Sequence, residues 1–296
     1  MKYFKICVIS AIPVVITVLA LLGRCNGSDA MLRQIAVSAV GIAAAVAIIV
    51  MRRKLPIMRI APWALGCFDL AVVGLVLCGI YRTGAACWLL LGTIPFWVAW
   101  FRGKFTKIAT GNLVVLASLA AIIVCNCLLL SDATRRSRLV AYVRGEELVG
   151  RTALVEEQSR WKQTMQDAAW FGATDAYAAP ANTRTTHSVA LLVDATQRHG
   201  KWLPMMMCAL FLALSAIMVV PLIGDKYHCS VRLFGVLASL WLVAPVVLSV
   251  AAAYMLVPVV NVPIPFVACG AETVVAWVLV AMGSCVVGTD GAMWLV

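Results

Sequence analysis

Charge is scarce in this sequence. Its 296 residues include 24 Lys or Arg and 13 Asp or Glu, together 12% of the chain, about half the share usual in soluble domains. That leaves too little polar surface to cover a water-soluble globule and argues against a cytosolic enzyme. Paired cysteines are missing as well. The eleven cysteines include no C-x-x-C spacing, so neither a metal cluster nor a disulfide framework is indicated, and no metal ligands are assigned. Most of them lie inside apolar runs, where cysteine acts as a small packing residue. The basic residues form no single stripe, so a net charge of +11 does not call for a nucleic-acid partner. Disorder is excluded by what is abundant, because 63% of the residues are apolar and disordered chains are apolar-poor.

The apolar residues gather into eight runs, at about 6–23, 35–51, 64–80, 86–101, 113–130, 202–223, 233–257 and 267–288. Most have the ~20 residues that a helix needs to cross hydrocarbon. The fourth, with Pro95 inside it, is the shortest. Lys2 and Lys5 before the first run suit a signal peptide. Arg24, however, precedes Cys25 where a lipoprotein signal needs a small residue, so an uncleaved first span is expected. With the N-terminus inside, eleven basic residues fall in the inner loops, among them Arg52, Arg53, Lys54, Lys104 and Lys107. Only Arg24, Arg33 and Arg82 fall in the short outer ones, a positive-inside pattern. The expected fold is an all-α, polytopic transmembrane helix bundle of about eight spans.

One connection is long. Residues 131–200 are polar, lie outside by the span count, and hold eight of the thirteen acids, including Glu156, Glu157, Asp167 and Asp194. Long loops of this kind are uncommon and often functional. Trp161, Trp170, Phe171 and Tyr177 suit a folded cap packed on the membrane end of the bundle, helical between about 152 and 169. The chain thus divides into a five-span region (1–130), the extracytoplasmic cap (131–200) and a three-span region (201–296). A Pro-rich re-entrant turn is expected at 257–266. Pro258, Pro263 and Pro265 forbid a regular helix there. Irregular backbone at membrane depth needs protein or a water-filled cavity around it, so the turn and the cap are expected to enclose one wet pocket.

Two stretches resemble the SEDS family (shape, elongation, division and sporulation), the FtsW/RodA/SpoVE group of cell-shape and cell-cycle proteins. Val257-Pro258-Val259-Val260-Asn261-Val262-Pro263-Ile264-Pro265-Phe266, continuing to Gly270, is similar to the family run L-P-V-T-G-I-P-L-P-F-x-S-Y-G-G. In the cap, Arg135-Arg136-Ser137-Arg138-Leu139-Val140-Ala141-Tyr142 resembles Y-R-x-x-R-x-x-A-F. Gln158-Ser159 with Trp170-Phe171-Gly172 resembles Q-S followed by G-G-L-F-G, and Thr186-His187-Ser188-Val189 resembles A-H-T-D. The likeness spans about residues 113–288. The sequence also departs from the family. Val189 stands where the family has the acid regarded as its catalytic base, Y-G-G-S-S becomes Cys269-Gly270-Ala271-Glu272-Thr273, and Ile80-Tyr81-Arg82-Thr83-Gly84-Ala85 replaces Q-P-D-L-G. Family members usually have ten spans, so this chain reads as a divergent, shortened relative.

The resemblance implies a role in peptidoglycan synthesis in the cytoplasmic (inner) membrane of a bacterium. The partners would be the bilayer, a lipid-linked disaccharide precursor and a penicillin-binding transpeptidase; no cofactor is certain, but the resemblance allows a divalent cation. The glycosyltransferase reaction needs a base at the acceptor hydroxyl and cationic groups at the departing pyrophosphate. Arg135 and Arg138 could hold the pyrophosphate, since guanidinium forks suit phosphate oxygens, or could anchor a helix end at the interface. Gln158 and Ser159 could contact sugar hydroxyls or lie on a solvated helix face. Pro265 and Gly270 would line the substrate site. His187 is the candidate substitute base by its ordinary titration range, with a structural histidine as the alternative. Asp69 and Glu272 are acids in apolar runs and therefore functional candidates. A helix–helix hydrogen bond or lipid contact in protonated form is the alternative for Asp69; Glu272 could meet substrate or a cation beside the Pro-rich turn, and a helix N-terminal carboxylate explains it equally well. Three readings stand: a glycosyltransferase, a catalytically inactive scaffold for the transpeptidase, and a lipid or small-molecule transporter. The last would predict internal repeats, and the sequence displays none.

Overall fold

The computed structural model describes residues 2–23, 28–51, 57–102, 109–131, 152–173, 188–223, 227–257 and 262–288. These residues form helices and no strand. In chain order they are α1 (Lys2–Gly23), α2 (Ser28–Met51), α3 (Ile57–Leu77), α4 (Thr83–Leu91), α5 (Ile94–Arg102), α6 (Ala109–Ser131), α7 (Thr152–Asp167), α8 (Ser188–His199), α9 (Trp202–Val219), α10 (Cys229–Ala253) and α11 (Ala271–Gly288). Every apolar run of the sequence falls on a helical segment. Five segments are long and apolar enough to cross a membrane: Met31–Met51, Ile60–Leu77, Thr83–Arg102, Trp202–Leu222 and Cys229–Ala253. Three shorter apolar helices, Ile9–Leu22, Asn112–Leu128 and Ala271–Val287, occupy the other expected places. Leu70, Leu116, Ile123, Leu212 and Leu240 are more than half exposed, which is how a span faces lipid. The chain is an all-α membrane helix bundle.

The fourth run crosses as two helices. Pro95 has no amide to continue the ladder, and the chain tightens at the break, where Thr93 N donates to Leu90 O at 3.0 Å and Thr93 Oγ1 to the same carbonyl at 2.6 Å. Gly92 lies under the Trp241 indole, 2.8 Å from where a Cβ would sit. Trp241 stacks on Trp88 at 6.1 Å and donates Nε1 to Trp88 O at 2.8 Å, fixing α4 to α10.

At one end of the bundle α7 and α8 form a cap. Gly172 N donates to His199 O (3.1 Å), Lys201 N to Ala169 O (3.0 Å) and Trp202 N to Trp170 O (3.3 Å), so the cap joins α9 through backbone bonds. His199 Nε2 lies 3.0 Å from Leu22 O and ties the cap to α1. Trp161 is half-buried in the apolar layer between α7, α8 and the end of α10. Trp170 and Phe171 instead stand 61% and 76% exposed, against the expectation that they pack on the bundle. The backbone bonds at 169, 170 and 172 hold the turn and leave both rings on its outer side. Tyr177 lies outside the described residues.

Candidate functional site

Residues 258–261 of the Pro-rich stretch, Pro258 among them, lie outside the described residues; the remainder is irregular, as expected. Among its described residues, 262–270 contain no helix, and α11 starts at Ala271, four residues after the apolar run begins, because hydropathy does not register the backbone break. Ile264 O accepts from Val267 N (3.2 Å) and Ala268 N (2.8 Å). Phe266 takes φ +64°, a left-handed conformation that bulky residues rarely adopt. Its buried ring packs edge-on to Trp277 at 5.3 Å and against Phe211 at 6.1 Å. Gln34 of α2, itself buried, donates Nε2 to Phe266 O at 3.0 Å. These contacts hold a conformation that costs roughly 1–3 kcal/mol on its own.

Glu272, 1% exposed, opens α11. Tyr81, in the α3–α4 connection, donates its hydroxyl to Glu272 Oε1 at 2.5 Å. Burial, then the neighbouring Glu272 charge, pushes the Tyr81 phenol above its ordinary range. Gly270 is where the carboxylate folds back: a Cβ there would collide with Glu272 Oε2 and lie 2.9 Å from Cδ. Thr273 Oγ1 donates to Ala268 O at 2.7 Å and closes the turn. The structure thus gathers Pro265, Gly270 and Glu272 into one buried turn and adds Tyr81, Gln34 and Phe266. Reasoning from sequence overlooked Gln34 entirely, because an amide beside Arg33 and just before the 35–51 run carries no signal. Tyr81 was noted only as a substitute for a missing motif.

The cap residues fare differently. Gln158 and Ser159 lie on α7, where Ser159 is exposed. Arg135, Arg138 and His187 lie outside the described residues. Val189, 1% exposed, sits in a layer with Met165, Val193, Ala252 and Ala253. Asp194 is half-buried one turn before Arg198, and burial raises its carboxyl above the ordinary range, partly opposed by that arginine. Where the cap meets the turn, Ala20 of α1, Leu192 and Ala195 of α8, Met207 of α9 and Val267 line only a small gap. Its described lining is apolar rather than wet, because α8 turns its aliphatic face inward. The resemblance also allows a divalent cation, but the described residues do not fit one. No group of three His, Cys, Asp or Glu side chains is assembled among them, and Glu272 stands with a phenol where such an ion needs several oxygens.

Asp69 is fully buried at mid-length in α3. Its Oδ2 accepts from Trp97 Nε1 (2.9 Å) and lies 3.4 Å from Thr93 Oγ1, while Oδ1 has no partner. The carboxyl therefore pins the α4–α5 break to α3, one of the alternatives the sequence leaves for an acid in a span.

These features define a helix-bundle membrane protein with a capped end and a proline-broken entrance to its last helix. No model of a known protein family matches the sequence, and no curated protein matches it. Among solved structures, the chain is similar to one from a structure described as "Structural coordination of polymerization and crosslinking by a peptidoglycan synthase complex". The TM-score is 0.59 at 14% identity, over 98% of this chain and 98% of that one. At that identity the likeness is one of fold.

Proposed function

We propose that this chain is a SEDS-like component of peptidoglycan assembly in a bacterial cytoplasmic membrane, with its cap facing outward toward a lipid-linked disaccharide precursor. The observation that carries the reading is the correspondence of fold with a chain of a peptidoglycan synthase complex along nearly the whole of both. The ordered turn at Pro265, Gly270 and Glu272, beneath the cap, supports it. In this reading Arg135 and Arg138 receive the anionic pyrophosphate, Gln158 and Ser159 meet sugar hydroxyls, and His187 takes the acceptor proton.

Val189 favours a second reading, a scaffold that positions a penicillin-binding transpeptidase. A valine cannot accept a proton, and its side chain is packed in an apolar layer with Met165, Ala252 and Ala253. One experiment separates the two. Purified protein is incubated with labelled lipid-linked precursor, and membranes are probed for a co-purifying transpeptidase. Glycan polymer that is lost in His187→Ala supports the first reading. Absence of polymer with stable co-purification supports the second, and failure of both overturns the assignment to peptidoglycan assembly.

A further inference from the structure

The turn that follows α7 presents two large aromatic side chains to the outside, Trp170 at 61% and Phe171 at 76% exposure. Their level relative to the spans is fixed. Trp202 N donates to Trp170 O at 3.3 Å, and Trp202 is the first residue of a segment long and apolar enough to cross a membrane. The neighbouring bonds, Lys201 N to Ala169 O and Gly172 N to His199 O, hold the turn on both sides. Gly200, at φ +90°, lets the Trp170 carbonyl approach to 2.5 Å from where a Cβ would stand. The pair therefore cannot swing away from the plane in which α9 enters the bilayer.

That plane is where tryptophan is favoured, with its apolar body among acyl chains and its N–H among headgroups. Trp161 and Tyr254, both half-buried at this end, extend the aromatic content at the same level. Two exposed rings held beside a span's first residue match the headgroup–acyl boundary better than open water, which would leave both solvated for no gain. We propose that Trp170 and Phe171 insert into the interfacial layer of the phospholipid bilayer and moor the cap to the membrane surface. The cap would then be fixed twice, by its backbone bonds to α9 and by this wedge.

The test uses the full chain labelled with 5-fluorotryptophan in phospholipid nanodiscs. The Trp170 resonance is identified by its loss in Trp170→Phe, and Phe171→Trp adds a second resonance at the next position in case the first variant does not fold. Phospholipid spin-labelled near the headgroup is expected to broaden both resonances, and a water-soluble paramagnetic agent to leave them largely intact. Broadening by the soluble agent alone would overturn the proposal, because the rings would then stand in water. Protection from both agents would also overturn it, because a second copy or another protein would cover them.

Discussion

Asp69 and Glu272 are the acids that reside among apolar residues, and each meets an aromatic donor from another segment. For Asp69 the consequence of losing the acceptor is calculable. Asp69→Asn keeps an oxygen for Trp97 Nε1, whereas Asp69→Leu leaves a buried indole N–H unpaired. An orphaned buried donor costs roughly 1–3 kcal/mol, so the leucine variant is expected to melt well below the asparagine variant in detergent. Equal melting of the two would disprove the hydrogen-bonding role. Tyr81→Phe should cost a similar ~1–3 kcal/mol at neutral pH by leaving the Glu272 carboxylate without its donor. Its pH dependence has a definite sign. The Tyr81 phenol is raised, so the folded chain keeps a proton that the unfolded chain releases near pH ~10. The contribution is complete below that pH and is lost as pH rises through the native value. Wild-type thermal midpoints should therefore fall more steeply above pH ~10 than those of Tyr81→Phe. Both acids were conspicuous in the sequence because a charge in an apolar run stands out. Their partners Trp97 and Tyr81 were not, and neither was Gln34, the donor to Phe266 O, since bonds between distant helices leave no spacing pattern to read.

The elements were legible where a single physical property specifies them. Hydropathy located all eight apolar runs, and Pro95 marked the one that breaks into α4 and α5. The runs mislaid ends, however: α3 begins at Ile57 rather than near 64, because Arg59 interrupts the apolar pattern whereas an arginine near a span's end extends a helix at little cost. The cap was predicted helical over 152–169 and is helical as Thr152–Asp167; its joint to α9 was not foreseen, because it runs through backbone atoms. That joint depends on Gly200. An alanine there would adopt an unfavourable positive φ and drive its Cβ into the Trp170 carbonyl, at a cost of roughly 1–3 kcal/mol or more. Amide exchange in α7 and α8 of Gly200→Ala is expected to accelerate while α3 and α6 keep wild-type protection. Asp194 supplies a second reading of the cap. Its folded carboxyl titrates above the ordinary range, so its contribution is full below the unfolded value near ~4 and declines as pH rises through the native one. Asp194→Asn should therefore raise cap stability at neutral pH, and a lowered midpoint would contradict burial as the cause.

At the scale of the molecule, fold and chemistry obey different tolerances. A bundle of apolar helices survives wholesale exchange of one aliphatic side chain for another, which is how 14% identity coexists with a shared architecture along 98% of both chains. Proton transfer has no such latitude, because it needs one group of the right type at one place. The sequence therefore disclosed the bundle, the cap and the broken entrance to α11, and the resemblance drew attention to Val189 without revealing its surroundings. Packing supplies the rest. Val189 is held by Met165, Val193, Ala252 and Ala253, in the layer that seats α8 on α7 and α10. An acid placed there would be a charge buried among apolar side chains, a situation that, left unpaired, is worth about 3–5 kcal/mol of destabilisation. Val189→Asp is accordingly expected to loosen the cap, lowering the thermal midpoint and exposing α8 to protease, without producing polymerase activity on lipid-linked precursor. A stable Val189→Asp protein that gained glycan synthesis would instead show that the position opens onto a substrate site, and the scaffold reading would fall.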